Sequence, residues 1–503
     1  MNPKSQIDPP NPGGARPTTE QRDSGRMLVR LLHALEQRGA SMASLASVAG
    51  VGILGYMHVP LTWPLVLVLL WVVFYEFQKR IDQGLPLMQI AALLGVLQWT
   101  VGPMLAYGTS LIEGRYSMYV DETSYFSYAL PGTAAYVFGL LAVGSSVRQR
   151  EMMRHIRREH FMVIGWVLNG IAFGAGLAAS RVPSGLAFAV HLLSQIGYVG
   201  TIYFLYSGTR NRWLWVAISL LPLLKISADS AMFHDVLLWS GLFFCYWYGM
   251  RRHLPEAKAG LLVGVGCALF TIQAIKQDYR AKVWNGENTS LAGQAVSFWS
   301  NWDAVTSDET LANVISRLNQ GWIISAVLNH VPSIEAFADG ETIKDALLAA
   351  LVPRFIMPDK KEAGGVKNFR RFTGLDLADD TSMGVSALGE AYVNFGREGG
   401  ILFMLGFGLC FASFYTLCLQ RAVCYPTFLF WIPLIFYQAL KAETEFVTVL
   451  NQLSKGAVVA IGLHWLIDLP WISLAKHKPL ANDARRQGNR RVNTERRTLN
   501  VEH

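Results

Sequence analysis

Arg280, Arg317, Arg354, Lys360, Lys361 and Arg397 are spread through one polar run, Asp278 to Gly399, of an otherwise apolar chain. Arg offers phosphate oxygens a planar fork of donors and Lys a point charge, so the chemistry these residues suit is the holding of a polyanion. Lys276 and Arg280 are four apart and share a helical face. They either snorkel as anchors of a helix end or clamp an anionic headgroup. Ser316-Arg317-Leu318-Asn319-Gln320-Gly321-Trp322 sets a cation and two amides beside an aromatic, which suits a sugar or phosphate contact or ordinary surface. Arg354, Lys360 and Lys361 lie on a stretch punctuated by Pro353, Pro358, Gly364 and Gly365, either a solvated turn or part of the same clamp. Lys367, Arg370 and Arg371 read as surface charge.

Carboxylates supply the other half. Glu390, Asn394 and Arg397 follow at spacings of four and three, one helical face, with Tyr392 between them. Such a carboxylate is either one arm of a structural ion pair or a base that takes the proton from a hydroxyl. Asp380 is the second candidate base. Asp376-Leu377-Ala378-Asp379-Asp380 is not a DxD triplet, and an Asp ahead of Thr381 and Ser382 also suits a helix cap. Lys441-Ala442-Glu443-Thr444-Glu445 puts two carboxylates beside a cation at a membrane edge, where ionisable groups mark function by default. The eleven histidines have no metal-ligand spacing, His234 and His330 read as structural, and neither a metal nor a cofactor is expected.

The elements that must position these groups belong to a membrane protein. Of 503 residues, 52% are hydrophobic and 16% charged, and mean hydropathy is +0.28; soluble domains carry nearer a quarter charged residues. The net charge of +8 raises the question of nucleic acid. The basic residues, however, cluster at the tails and between apolar runs, where they set membrane orientation, and no nucleic-acid motif occurs. All five cysteines lie in or beside apolar segments, so no disulfide framework is implied in the polar run.

Apolar windows long enough to cross a bilayer cover 42–58, 61–78, 87–108, 128–146, 161–180, 185–207, 212–228, 232–250, 259–277, 400–420, 425–441 and 456–473. The expected fold is therefore an all-α polytopic membrane protein of about twelve transmembrane helices, with one large, partly helical loop before the last three. The chain divides into a basic tail (1–41), a bundle of about nine helices (42–277), the polar loop (278–399), three further helices (400–473) and a second basic tail (474–503). Thirteen basic residues in short loops on the side of the tails, Arg150, Arg154 and Arg158 among them, stand against four opposite: Arg115, Arg181, Lys441 and Lys455. That bias puts both tails in the cytoplasm and the loop outside. Residues 1–38 are polar, contain Pro9, Pro10, Pro12 and Pro17, and have no apolar stretch, so no cleavable signal peptide is expected. Within the loop, helices are expected at 313–331, 341–351 and 383–395.

From roughly Leu87 to Lys455 the chain resembles the Wzy-type repeat-unit polymerases of bacterial O-antigen and exopolysaccharide assembly. The residues that carry the resemblance are Lys276-x-x-Tyr279-Arg280, Arg317-Leu318-Asn319-Gln320-Gly321, Pro353-Arg354 with Pro358-x-Lys360, and Gly389-Glu390-x-Tyr392-x-Asn394-Phe395-Gly396. The resemblance implies an integral-membrane glycosyltransferase of the GT-C class on the outer face of the bacterial inner membrane. Its substrate would be an undecaprenyl-diphosphate-linked oligosaccharide, and the growing glycan would pass to a sugar hydroxyl of the incoming unit. Lys276, Arg280, Arg317, Asn319, Arg354, Lys360, Tyr392, Asn394 and Arg397 would then hold diphosphate and glycan, with Glu390 or Asp380 as base and Trp284, Trp299 and Trp322 as sugar-stacking faces. A metal is not generally required. The lipid bilayer is the first partner, and a chain-length regulator and export machinery are further expected ones. The rival readings are an O-antigen ligase, a lipid-linked oligosaccharide flippase or other transporter, and a non-enzymatic scaffold. A flippase predicts charges in mid-helix and short loops, the reverse of what the sequence has.

Overall fold

The computed structural model describes residues 40–468 except 113, 145–146, 148, 155, 157, 183, 231–232, 250–263, 301, 306, 353–364 and 378–382; between 264 and 290 it describes only 264, 267, 271, 275, 279 and 282. Both tails and nearly all of the expected span 259–277 lie outside the described residues. So do Lys276, Arg280, Trp284, Arg354, Lys360, Lys361 and Asp380.

The chain is all-helical, with no strand among the described residues. It runs α1 (Met42–Tyr56), α2 (Thr62–Ile81), α3 (Leu87–Val96, continued through a π turn at Leu97–Val101 into Gly102–Tyr107), α4 (Glu122–Ala142), the short α5 (Gln149–Arg154), α6 (Phe161–Ala178), α7 (Ser184–Tyr206), α8 (Arg212–Ser230) and α9 (His234–Gly249). The polar run contributes α10 (Leu291–Ser300), α11 (Trp302–Val305), α12 (Asp308–Leu318), α13 (Gly321–His330), α14 (Glu341–Leu351) and α15 (Val366–Thr373). The chain closes with α16 (Ser386–Cys424), α17 (Ile432–Phe436) and α18 (Phe446–Leu463).

Among the described residues, five helical stretches are long and apolar enough to cross a bilayer: Leu87–Tyr107, Phe161–Ala178, Leu186–Tyr206, Ser386–Cys424 and Phe446–Ile467. They are the mark of a membrane protein. Met42–Tyr56 and Pro426–Phe436 are apolar but shorter.

Several expected elements change shape for identifiable reasons. The window 425–441 is no continuous helix. Pro426 opens a 3₁₀ turn at Pro426–Phe430 and Pro433 sits in the first turn of α17, followed by a second 3₁₀ turn at Gln438–Leu440. Nearly every side chain of this irregular stretch is buried, and broken backbone is tolerated at such depth when protein encloses it. The helix expected over 313–331 is split at Asn319 and Gln320, because the Gln320 N–H donates to the Gln98 carbonyl of the bundle. The helix expected over 341–351 is α14 itself.

Small residues let the bundle close. A Cβ on Gly139 of α4 would stand 2.6 Å from the Leu405 carbonyl of α16, and one on Gly408 of α16 would meet the Tyr136 carbonyl. The two backbones therefore cross in direct contact, the close approach that small residues permit between apolar helices. Three hydrogen bonds then fix the end of the bundle on which the polar run sits. Tyr125 donates to the Trp99 carbonyl at 2.8 Å, Tyr128 to the Leu388 carbonyl at 2.7 Å, and Trp99 Nε1 to the Ala442 carbonyl at 3.2 Å.

Candidate functional site: a buried carboxylate pair under the polar segment

Glu390 faces inward from the first turns of α16 and is only 3% exposed. Thr342 Oγ1, in the first turn of α14, donates to its Oε1 at 2.8 Å. The Phe446 N–H, at the start of α18, donates to its Oε2 at 2.8 Å. Asn394, one turn along, donates through Nδ2 to Thr342 Oγ1 and to the Glu390 carbonyl, each at 2.8 Å. One carboxylate thus joins α14, α16 and α18. An ionised carboxylate is all acceptor, and two donors supply part of the hydration it gives up on burial.

The second carboxylate is Glu445, 5% exposed. The Gly365 N–H donates to its Oε2 at 2.8 Å and the Val385 N–H to its Oε1 at 3.1 Å. Gly384 leaves room for the side chain: a Cβ there would stand 2.9 Å from Glu445 Cδ. Burial, and then repulsion from Glu390, push Glu445 up to about 8 against the pull of the two amides. A carboxyl buried beside another carboxylate holds its proton to higher pH than one in water.

The position of the donors matters. Gly365 follows directly on residues 353–364, which carry Arg354, Lys360 and Lys361, and Val385 follows closely on 378–382, which carries Asp379 and Asp380. Lys361 is four residues from Gly365 and Asp380 five from Val385, so chain length alone keeps both within roughly 14–18 Å of the amides Glu445 holds.

The remaining sequence candidates separate. Glu390 and Asn394 are brought together, whereas Arg397 is not on their face. Gly396, at φ 64°, breaks α16 into 386–395 and 397–424, which ends the shared face that the spacing implied. Arg397 instead donates to the carbonyls of Ser127 (3.2 Å) and Tyr56 (3.0 Å), contacts His58 Nε2 at 2.8 Å, and lies 4.7 Å from the centre of the Tyr56 ring. Tyr392 packs edge-on to Tyr128 at 5.0 Å and touches Phe337. Arg317 stands 5.9 Å over the Tyr116 ring. Asn319 is fully buried, its Nδ2 against Met118 Sδ at 3.4 Å and its Oδ1 without a hydrogen-bond partner among the described residues.

Trp322, expected as a sugar-stacking face, is 1% exposed and packs against Tyr116 and Phe369. A ring so enclosed presents no face to a sugar. Trp299 is 44% exposed. Arg371, read as surface charge, bridges Glu335 at 2.6 Å and Glu341 at 3.0 Å, and Arg370 donates to the Leu377 carbonyl.

The Lys441–Glu445 run also divides. Lys441 pairs with Asp235 at 3.0 Å and Glu443 with His234 at 3.1 Å, and of the two carboxylates Glu445 is the buried one. His234, read as structural, is thus half of a partly exposed ion pair when protonated. Sequence reasoning missed Thr342, Gly365 and Val385, because a hydroxyl and two backbone amides carry no sequence signal for the carboxylate they will meet. No family model, curated protein or solved structure matches this chain.

Proposed function

We propose that this chain is a membrane glycosyltransferase that polymerises lipid-diphosphate-linked oligosaccharide units, as its resemblance to the Wzy-type polymerases implies. The growing glycan passes from undecaprenyl diphosphate to a sugar hydroxyl of the incoming unit, at the outer face of a bacterial inner membrane, with about twelve spans and both tails in the cytoplasm. The observation that carries the reading is the Glu445 clasp. It ties the ends of two segments, one of net positive and one of net negative charge, to a single point beside the apolar α18. A diphosphate leaving group needs positive charge near its developing oxyanions; Lys360 and Lys361, five and four residues from Gly365, are the cations nearest the clasp along the chain, with Arg354 further from it. Arg280 and Arg317 are further candidates for the same anion. Arg397 already serves three neighbours in α1, α4 and the turn after α1.

A sugar hydroxyl needs a base. Asp380 is tethered on the same clasp, and Glu390 reaches an acceptor hydroxyl only by exchanging Thr342 Oγ1 for it. The experiment is incubation of the purified protein in lipid nanodiscs with polyprenyl-diphosphate-linked repeat units, separating the glycans by size. A ladder of repeat-unit multiples is expected. Transfer only to a lipid A core would mark a ligase, and movement of intact substrate across the bilayer without a ladder would mark a transporter; either result overturns the proposal.

A further inference from the structure

At the opposite end of the bundle from the carboxylate pair, a small cleft of about 60 Å³ opens between α5, the end of α7, the end of α9 and the Pro426–Phe430 turn. Arg150, Arg154 and Arg158 line it together with Gln149, Tyr206 and Tyr246. Arg154 and Arg158 are exposed and form no ion pair among the described residues. Arg150 donates through one Nη to the Asp82 carbonyl at 3.5 Å, and its buried Nε has no hydrogen-bond partner among the described residues. The lining beneath this rim is predominantly apolar, with Met153 and Leu429 in it.

The frame that carries the arginines is fixed. Gln149 accepts from the Leu85 N–H at 2.9 Å and donates to Tyr415 Oη at 2.9 Å, while Tyr415 donates to the Leu85 carbonyl at 2.9 Å. Gly84, at φ 150°, lies so close to Gln149 that a Cβ would stand 2.6 Å from its Cβ. These contacts lock α5 to the turn after α2 and to α16. Arg150 and Arg154 are one helical turn apart on that locked helix, and Arg158 follows four residues later. On the far wall, Tyr206 donates to the Tyr246 carbonyl at 3.1 Å and Tyr246 to the Leu429 carbonyl at 2.5 Å, so the aromatic side is held as firmly.

Three cations around an apolar floor at a bundle end suit an amphipathic anion, with the phosphate at the rim and the glycerol and first methylenes on the floor. We propose that this cleft binds the phosphate of an anionic phospholipid headgroup from the adjacent leaflet. The proposal does not depend on glycan transfer, since the cleft lies at the other end of the molecule.

The full-length protein would be purified and its melting point measured with added phosphatidylglycerol, phosphatidylcholine or inorganic phosphate, for wild type and for the double variant Arg154→Ala/Arg158→Ala. Both side chains are exposed, so the variant is expected to fold. Phosphatidylglycerol should raise the wild-type melting point more than phosphatidylcholine, and the variant should need roughly 30-fold more of it for the same rise. An equal rise with inorganic phosphate alone would assign the site to a free anion and overturn the lipid source. Equal responses to the two lipids, or an unchanged response in the double variant, would overturn the site itself. Arg150→Lys keeps the charge and loses the fork, and should give an intermediate response; a response equal to wild type would remove Arg150 from the site.

Discussion

Replacing Glu445 by Gln isolates the electrostatic part of the clasp. In the folded protein this carboxyl is held up to about 8 from an ordinary 4.5, by burial first and by Glu390 second. Below pH 4.5 the proton is bound in the folded and unfolded chains alike, and the contribution is constant. Between 4.5 and about 8 the folded protein keeps the proton and the unfolded chain has released it. Stability therefore falls as pH rises across that window, and the fall is complete above about 8. At 1.36 kcal/mol per pH unit the full loss is about 5 kcal/mol. Glutamine cannot ionise and removes the slope. It has one acceptor oxygen for two amides, at Gly365 and Val385, and leaves the other amide unsatisfied at about 1–3 kcal/mol. The two stability curves should therefore cross between about pH 5 and 7, with the variant the more stable at pH 8. Thermal unfolding in detergent, followed by tryptophan fluorescence at one scan rate, reads this directly. A wild-type midpoint that is level or rises from pH 5 to pH 8 relative to Glu445→Gln would refute the reasoning.

Thr342→Val removes the hydroxyl that donates to Glu390 and accepts from Asn394. It should cost about 1–3 kcal/mol, seen as a lower melting point, and should reduce glycan-ladder formation; unchanged melting would mean the three-residue network contributes nothing to the fold. Gly408→Leu drives a side chain into the Tyr136 carbonyl, where α4 and α16 touch, and should abolish recovery of monodisperse protein by fluorescence-detected size exclusion. Gly406→Leu on the same helix meets nothing within 4 Å and should be recovered normally. Arg397→Ala strips two carbonyl contacts and the Tyr56 ring of their cation. It should lower stability by about 1–3 kcal/mol while the purified variant keeps its ladder-forming rate; a well-folded Arg397→Ala protein without transfer would return this arginine to the substrate site.

Much of the helical architecture was legible, because apolar length and helical period are local properties of the chain. The expected 341–351 helix and the apolar windows at 87–108, 161–180 and 185–207 correspond closely to α14, Leu87–Tyr107, α6 and α7. What was not legible depends on contacts between distant segments. The 425–441 window has the composition of a span, and its prolines turn it into a broken segment packed inside the protein. The face shared by Glu390, Asn394 and Arg397 follows from a regular 3.6-residue repeat, and a single glycine with positive φ ends that repeat before Arg397. Glu445 was marked by its place beside Lys441 and Glu443, yet its two partners lie 80 and 60 residues away in the chain. A pattern read along the sequence cannot reach so far.

The division of labour between the two carboxylates follows from which groups they hold. Glu390 binds a helix start and a threonine within the packed helices, so its donors are set by the fold of α14, α16 and α18 whatever the neighbouring segments do. Among the described residues, Glu445 binds two backbone amides, at the ends of two segments whose net charges are of opposite sign. A backbone amide donates whatever side chains precede it, so residues 353–364 and 378–382 can vary in sequence without loosening the clasp. The proposed glycan transfer would use segments whose ends are fixed beside α18. A carboxylate at position 445 has two acceptor oxygens for the two amides, where an amide side chain has one, and burial makes that arrangement cost stability once the proton is lost. One side chain thus holds two backbone segments at once, and burial raises its affinity for a proton.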